Sequence, residues 1–289
     1  MPKKKSFCQV LEPGFYTSIQ DSGRRGWRGK GVPLSGPMDT ESFARANRVV
    51  GNDTPQAALE ITLSGPTLLF NDPVWVAVSG AEVALTHNQN VQALDRPFLC
   101  DLGDVLRVGK MTHGARVYMA FLGGLQSPHY LGSASQFFPI SPAARVPKGE
   151  KLSYVTSLLF PEITASTGEI NSQSLGVRDR LKVRRGIDWD DCPKHIQKEL
   201  KKGSFVVGSN NRMGYRLEGT ISPLDFQPLS GIIPPGTIQL SSGGGLLVAM
   251  ADGQVTGGYL RVLSLDRAEM NFLAQQTTGK KLRLDFVDA

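Results

Sequence analysis

Short apolar runs, several of them alternating with polar residues, dominate the chain and predict β-strands. The clearest run covers residues 281–287, where Leu282, Leu284 and Phe286 face one side and Arg283 and Asp285 face the other. This alternation is typical of a sheet with one buried face and one solvated face. Further strands bounded by Gly, Pro or Asp are predicted over residues 74–80, 105–109, 115–124, 203–208 and 244–250.

Only three segments have the spacing and end signals of an α-helix. The first begins at Asp39, a suitable N-cap, and ends at Val50, with Asn47 on its apolar face. The second is predicted over residues 191–200, with a proline in its first turn, and the third over residues 266–279. Helices are therefore expected to be few.

The composition agrees with many short strands joined by tight turns. The 289 residues include 32 glycines and 18 prolines, spread along the chain. Residues 160–176 are polar and rich in Ser and Thr, so they are the best candidate for a linker, and we place a domain boundary near Val177. We predict a mainly β protein of two β-barrel-like domains with few helices, covering residues 1–176 and 177–289.

Charge and cysteine usage exclude several classes of protein. The net charge is +6, but the basic residues do not form a stripe interleaved with aromatic residues, so we expect no nucleic-acid partner. Cys8, Cys100 and Cys192 are too far apart in sequence for a disulfide framework or a zinc site, and no metal site is expected. No signal peptide or apolar span long enough for a membrane is present, so we expect a cytoplasmic protein with no membrane partner.

Three polar, glycine-rich loops are the best candidates for chemistry, at residues 21–39, 208–219 and 251–260. Loops held by a rigid sheet commonly carry functional residues, although each of these loops also fits an ordinary turn. None of them contains a P-loop, an HExxH or a GxSxG motif. The chemistry-bearing residues in the three loops are Asp21, Arg24, Ser35 and Asp39 in the first, Arg212 and Arg216 in the second, and Asp252, Thr256, Gly257, Gly258 and Tyr259 in the third.

Taken in order, these loops resemble one family, the allophanate hydrolase subunit 2-like proteins, also described as biotin-dependent carboxyltransferase-like. The resemblance runs from about Leu11 to Phe286. Any one motif is a weak match, and their order and spacing make the resemblance specific. The motifs that carry it are QDSGRRGW, GVPLSGPMD, ANRVVGN, ALEITLSGP, GARVYMAFLGG, LGSAS, NRMGYRLEG, PGTIQL and DGQVTGGY.

The resemblance implies a cyclophilin-like C-terminal domain and a subunit 1-like partner in a hetero-oligomer. The first activity it implies is the ATP-dependent opening of 5-oxoproline to glutamate, catalysed by a hydrolase that is active only in complex, sometimes with a third lactam-utilisation subunit. The alternatives are a regulatory protein that antagonises a kinase-inhibitor partner, and a carboxyltransferase that acts on urea-like substrates. No cofactor is assigned to this chain; ATP would be used by the complex, and biotin would arrive on a partner.

Both enzymatic roles require stabilisation of an oxyanion and a group that handles one proton. Arg212 and Arg216 are the candidates for the first task, and Asp252 and Asp39 for the second. Amide side chains orient a planar amide because they offer a donor and an acceptor in one plane. The candidate substrate-binding residues are Asp21, Arg24, Ser35, Asn47, Asn52, Gln239, Thr256, Gly257, Gly258 and Tyr259.

The chain departs from the family pattern most clearly over residues 133–149. Gln136 stands where a threonine is expected, and prolines at 139, 142 and 147 replace glycines. Because proline restricts φ where glycine permits close backbone approach, we expect this part of a ligand surface to be altered. Asn211 also stands where an aspartate is expected.

Overall fold

The computed structural model describes residues 4–156, 178–226 and 228–287. The chain divides into two compact units. The N-terminal unit comprises Met1–Arg24 and Ser35–Leu175, and the C-terminal unit comprises Arg25–Leu34 and Gly176–Ala289. The predicted linker over residues 160–176 and the boundary near Val177 lie outside the described residues.

The N-terminal unit is built on one nine-stranded sheet. Its elements are β1 (Lys4–Glu12), β2 (Tyr16–Gln20), α1 (Thr40–Val49), β3 (Ala58–Thr62), β4 (Thr67–Phe70), β5 (Val74–His87), β6 (Asn90–Gln92), β7 (Phe98–Cys100), β8 (Val105–Phe121) and β9 (Lys151–Thr156). Six strands pair in the order β2-β3-β8-β4-β1-β9, while β5 pairs with β8, β6 and β7.

Strands β5 and β8 are longer than the sequence pattern predicted. The strands expected over residues 105–109 and 115–124 are one continuous strand, and the strand expected over 74–80 extends to His87. Register shifts between Gly80 and Leu85 of β5 fall opposite the polar stretch of β8, so an apolar pattern alone could not show that the strand continues. Their inward residues, with those of β1, β3 and β4, form the core.

Helix α1 forms where the sequence pattern predicted a helix, and its apolar face packs on β5 and β8. Phe43, Ala46 and Val50 are buried against Tyr118 and Ala120 of β8. Asp39 is the N-cap, and its Oδ1 accepts hydrogen bonds from the backbone N–H groups of residues 41 and 42.

The C-terminal unit contains a closed seven-stranded barrel, which confirms the prediction of a mainly β fold. Its elements are a 3-10 helix (Arg28–Lys30), β10 (Arg180–Arg185), α2 (Lys194–Lys202), β11 (Ser204–Asn210), β12 (Gly214–Glu218), β13 (Gly231–Ile232), β14 (Thr237–Leu240), β15 (Leu246–Ala249), β16 (Thr256–Gly257), β17 (Leu260–Ser264), α3 (Arg267–Ala274) and β18 (Lys281–Phe286). The barrel order is β10-β17-β14-β15-β12-β11-β18, and β13 and β16 form a separate two-stranded ribbon.

Two helix boundaries differ from the sequence prediction. Helix α2 begins at Lys194 and not at Asp191, because Pro193 is the N-cap with an extended backbone and disfavours helical geometry in the residue before it. Helix α3 ends at Ala274 and not near Gly279. Thr278 and Gly279 instead hydrogen-bond to the backbone carbonyl oxygens of Gly208 and Val207, which draws this segment toward β11.

Within the described ranges, no helix is both long and apolar enough to cross a membrane.

Candidate functional site

Gln239 places a buried amide on strand β14 of the barrel in the C-terminal unit. It lies on β14, where only 3% of its surface is exposed, and its Nε2 donates to the carbonyl oxygen of Tyr259 at 3.4 Å. A register shift between β14 and β17 falls between Ile238 and Gln239, and such bulges reorient side chains at sheet edges. Among the described residues, none donates a hydrogen bond to Gln239 Oε1.

Gly257 lets neighbouring side chains pack closely in front of this amide, because it has no side chain of its own. A Cβ atom at this position would collide with Ile233 Cδ1 and would lie 2.9 Å from Gln254 Nε2 and 3.3 Å from Gln239 Nε2. Two primary amides therefore converge on the face of Gly257 that lacks a side chain. We call Gln239, Gln254, Gly257 and Tyr259 the glutamine site.

The glutamine site can recognise a planar amide. Each glutamine offers one acceptor and two donors in one plane, which matches the N–H and C=O of an amide or ureido group. Gln239, Gly257 and Tyr259 were predicted from sequence as binding residues, and the fold brings them together. Thr256 lies beside them on β16 with its side chain exposed, and Gly258 follows in the chain.

Two arginines bind consecutive carbonyl oxygens next to the glutamine site. Arg261 Nη1 donates to Ile232 O at 3.3 Å, and Arg28 Nη2 donates to Ile233 O at 2.7 Å. Arg261 is neutralised by Asp188, whose Oδ2 accepts from Arg261 Nε at 2.7 Å and whose Oδ1 accepts from Nη2 at 2.9 Å. The hydrogen bonds from Arg261 lower the pKa of Asp188 below its ordinary value, although burial opposes the shift.

Arg212 and Asp252 form a second bidentate pair in the same unit. The Nε–Oδ2 distance is 2.7 Å and the Nη2–Oδ1 distance is 3.2 Å, and both side chains are buried. Asp252 N also donates to Arg212 O, so the pair joins two loops. Arg216 is exposed on β12. The catalytic roles of these three residues remain predictions, and the geometry shows that Arg212 and Asp252 neutralise each other.

Asp21, Arg24 and Ser35 of the N-terminal unit form an internal polar cluster. Asp21 Oδ1 accepts from the hydroxyls of Ser133 and Ser135 at 2.6 and 2.7 Å. Arg24 is fully buried and donates to Ser35 Oγ at 3.3 Å and to Ser135 O at 2.8 Å. Burial alone would raise the pKa of Asp21, but the serine hydroxyls and two backbone hydrogen bonds hold it below its ordinary value. Within the N-terminal unit, the cluster holds Asp21, Arg24 and Ser35 against the loop at residues 130–136.

Gln136, at the start of the altered 133–149 stretch, continues the sheet of the N-terminal unit. Its backbone N–H donates to Ile19 O, and its Oε1 accepts from Ile19 N at 3.0 Å. Gln20 Nε2 donates to Gln136 O at 3.3 Å. This glutamine therefore bonds to strand β2, and its side-chain amide oxygen is used within the fold.

Asp39 lies at the end of a buried hydrogen-bonded chain. Tyr118 Oη donates to Glu60 Oε2 at 2.7 Å and accepts from Asp39 N at 2.8 Å. Glu60 Oε2 also accepts from Met38 N at 2.8 Å. Burial, with the nearby charge of Glu60, raises the pKa of Tyr118 well above its ordinary value. The carboxylate of Asp39 caps α1, so its predicted role in proton transfer would have to coexist with this structural role.

Asn47 and Asn52 brace the end of α1. Asn47 Oδ1 accepts from Asn52 Nδ2 at 2.8 Å and from Gln56 N at 2.9 Å, while Asn52 Oδ1 accepts from Gly123 N at 2.8 Å. Asn52 also lines a cavity of about 520 Å³ with Trp75 and ten other residues of the same unit. The hydrogen bonds of both asparagines stay within the fold, and their predicted contact with substrate remains a prediction.

Residues 30–286 match a family described as the carboxyltransferase domain, subdomain A and B. The chain belongs to this family. The family resemblance predicted from the sequence motifs is therefore confirmed. Among the parts of this carboxyltransferase-domain chain that the structure describes, no three His, Cys, Asp or Glu side chains are grouped to hold a metal ion.

Its relatives include proteins of very different length. The chain is 30% identical to the C subunit of 5-oxoprolinase from Escherichia coli (strain K12) over 95% of its own length and 89% of that protein. It is 41% identical to urea amidolyase of Lachancea kluyveri over 55% of its length, but over only 9% of that protein. The crystal structure of K. lactis urea amidolyase superposes with a TM-score of 0.85 and 31% identity over the whole chain, which spans 19% of that structure.

Two residues at or beside the glutamine site were not among the candidate binding residues predicted from sequence. Gln254 belongs to the third polar loop, which the sequence marked as a candidate for chemistry, whereas Arg28 was not singled out. Gln254 is in the DGQVTGGY motif, four residues beyond the predicted strand at 244–250, so its position could have marked it. Arg28 follows the RRGW motif but belongs to the C-terminal unit, and no local pattern predicts that association.

Proposed function

We propose that this chain is a subunit of an ATP-dependent 5-oxoprolinase that opens 5-oxoproline to glutamate together with a subunit 1-like partner. The observation that carries the proposal is its similarity to the C subunit of 5-oxoprolinase over nearly the full length of both chains. A second 5-oxoprolinase C subunit, from Haemophilus influenzae, matches over 96% of the chain and 90% of that protein at 26% identity. ATP and a third lactam-utilisation subunit would be contributed to the reaction by the assembly.

The glutamine site supports this proposal because the substrate is a cyclic amide. Gln239 Oε1 would accept the lactam N–H, and a glutamine Nε2 would donate to the lactam carbonyl oxygen. A donor at that oxygen stabilises the negative charge that develops when the ring carbonyl is attacked. The two glutamines would therefore hold the bond that breaks.

The state of the cysteines is consistent with this role. Cys8, Cys100 and Cys192 are all free and buried, and burial raises the pKa of Cys192 to about 11. Buried thiols that stay protonated are poor nucleophiles and suit a reducing compartment. We place the complex in the cytoplasm, where ATP is supplied.

A second candidate function is carboxyl transfer from biotin on a partner protein to a urea-like substrate. The similarity to urea amidolyase favours it, because the local identity of 41% exceeds the 30% identity to the E. coli 5-oxoprolinase C subunit. The glutamine site would suit a ureido group by the same donor and acceptor geometry. The two functions differ in product: ring opening yields glutamate, whereas carboxyl transfer leaves a carboxylated amide.

Co-expression with a subunit 1-like protein and a lactam-utilisation protein tests the proposal. The purified assembly is supplied with 5-oxoproline and ATP, and glutamate and ADP are quantified, with one component omitted in each control. Glutamate formation that requires all components and ATP supports the proposal. An assembled complex that forms no glutamate, or one that carboxylates urea when biotinylated partner and bicarbonate are added, would contradict it.

A further inference from the structure

Four described arginines of the C-terminal unit are buried or half-buried, and they differ in how their charge is compensated. Arg178 is paired with Glu269, whose Oε1 accepts from Arg178 Nη1 at 2.9 Å. Arg212 is paired with Asp252, and Arg261 is paired with Asp188, each through two hydrogen bonds. Arg28 is half-buried, and its only hydrogen bond to a described residue is the one from Nη2 to Ile233 O. No described carboxylate lies within ion-pair distance of it.

An arginine that is partly removed from water without a counter-ion is costly unless a ligand supplies the charge. Partial burial lowers the pKa of Arg28, which reflects the same lack of a compensating anion. The guanidinium of Arg28 retains Nε and Nη1 as donors to an incoming group. Because its donors form a rigid fork, a carboxylate is the anion it would bind with the best geometry.

Ile233 connects Arg28 to the glutamine site. Its carbonyl oxygen accepts the hydrogen bond from Arg28, and its Cδ1 packs against the face of Gly257 that lacks a side chain. Ile233 is buried, with 1% of its surface exposed. The cation and the two amides therefore approach the same buried residue.

We propose that Arg28 binds the carboxylate of a small amide acid whose amide group is held by Gln239 and Gln254. This inference rests on the proposed function, because 5-oxoproline carries one lactam and one carboxylate on the same ring. It assigns the specificity for acidic over neutral lactams to Arg28, which belongs to the short segment at residues 25–34.

A purely structural role for Arg28, as a clamp that holds residues 25–34 on Ile233, makes a different prediction. Loss of a clamp would weaken every ligand of the site to the same degree, because it would disorder the segment. Loss of an anion subsite would weaken only ligands that carry a carboxylate. The comparison of 5-oxoproline with 2-pyrrolidinone, which lacks the carboxylate, separates the two roles.

The test measures equilibrium binding of both lactams to the assembled complex by calorimetry without ATP, so that no turnover is needed. The variants are Arg28→Gln, Arg28→Lys and the control Arg25→Gln, which removes an exposed arginine of the same segment. Thermal melting of each variant checks that it is folded. If Arg28→Gln is unstable, Arg28→Lys, which keeps the positive charge but loses the forked donors, provides the test.

For the wild type and Arg25→Gln we expect binding of 5-oxoproline to be at least about tenfold tighter than binding of 2-pyrrolidinone. Arg28→Gln should lose about tenfold in affinity for 5-oxoproline and stay within about twofold for 2-pyrrolidinone, and Arg28→Lys should lie between. Equal losses for both lactams in Arg28→Gln, or no preference for the acid in the wild type, would overturn the inference. Absence of glutamate release with the binding preference intact would instead refute the proposed ring opening alone.

Discussion

Arg212 and Asp252, 40 residues apart in the chain, form a buried ion pair in which two guanidinium nitrogens contact two carboxylate oxygens at 2.7 and 3.2 Å. Only 6% and 5% of the two residues are exposed. Both residues lie in loops that the sequence predicted to carry functional residues, and the fold pairs their opposite charges. Replacing one member of such a buried pair lowers the stability of the protein strongly, because the other charge is left buried without a counter-ion.

Asp252→Ala should therefore destabilise the protein by about 3 kcal/mol or more. The double variant Arg212→Met with Asp252→Leu should recover much of that loss, because no unpaired charge remains buried. Urea unfolding followed by circular dichroism measures both. Glu12→Gln, which breaks an exposed ion pair with Lys148, is the control and should change stability little. A double variant no more stable than Asp252→Ala would show that the site does not tolerate apolar replacement.

The pair of Asp188 with Arg261 makes stability depend on pH in the acid range. The folded-state pKa of Asp188 is depressed below the unfolded value, so its contribution is present above the unfolded pKa of about 4 and is lost as pH falls through the folded value. Asp188→Asn should lower the free energy of unfolding at pH 7 and flatten its decline below pH 4. Unfolding of both proteins between pH 7 and pH 3 measures this difference. Parallel pH profiles would mean that Asp188 titrates alike in the folded and unfolded states.

Gly257→Ala tests the close approach of the two amides at the glutamine site. The added Cβ would meet the ends of Ile233, Gln254 and Gln239, which are flexible enough to move without unfolding the barrel. We expect a folded protein whose affinity for lactams falls by about tenfold or more, because both amides are displaced. Gly243→Ala is the matched control, since a Cβ there meets no atom within 4 Å. Calorimetric binding on the complex measures the effect, and equal affinities for the two variants would count against the site.

Asp39→Asn distinguishes the capping role of Asp39 from its predicted role in proton transfer. Asparagine is as good an N-cap as aspartate, whereas Asp39→Ala removes the acceptor and should cost about 1 kcal/mol in stability. If Asp39 only caps α1, the complex with Asp39→Asn keeps its turnover number within about threefold. A fall of about a hundredfold with unchanged melting temperature would support a role as an acid or base.

The elements that local chemistry determines were predicted from sequence, and those that depend on distant contacts were not. The strand at Lys281–Phe286 and the helix capped by Asp39 follow from alternation and end signals. The end of α3 was misplaced because the bonds of Thr278 and Gly279 to β11 are tertiary. The segment 25–34 lies early in the chain yet belongs to the C-terminal unit, and a division at one boundary near residue 177 would omit it from that unit.

The candidate site residues also divide into those that residue type could identify and those whose roles depend on contacts in the folded chain. Gln239, Gly257 and Tyr259, predicted from residue type to bind substrate, lie next to one another in the fold, and their contact with substrate remains a prediction. Residue type could not show that Asp21, Arg24 and Asn52 form hydrogen bonds within the fold, because these partners lie 112, 111 and 69 residues away. Asn47 bonds to residues that are near in sequence, and residue type alone does not distinguish such a structural amide from a binding one. The proposed role of Arg28 rests on the absence of a carboxylate near it among the described residues, which depends on the folded arrangement of distant segments.

Gln239 is the residue on which the proposed function most depends, because its amide would hold the lactam that the assembly opens. The most direct measurement is kcat/KM for ATP-dependent glutamate formation from 5-oxoproline by complexes containing the wild type or Gln239→Met, a replacement of similar size without the amide. We expect an active wild-type complex and a loss of about tenfold to a hundredfold in the variant, with unchanged assembly and melting temperature. A Gln239→Met complex as active as the wild type, or a wild-type complex that forms no glutamate, would refute this role.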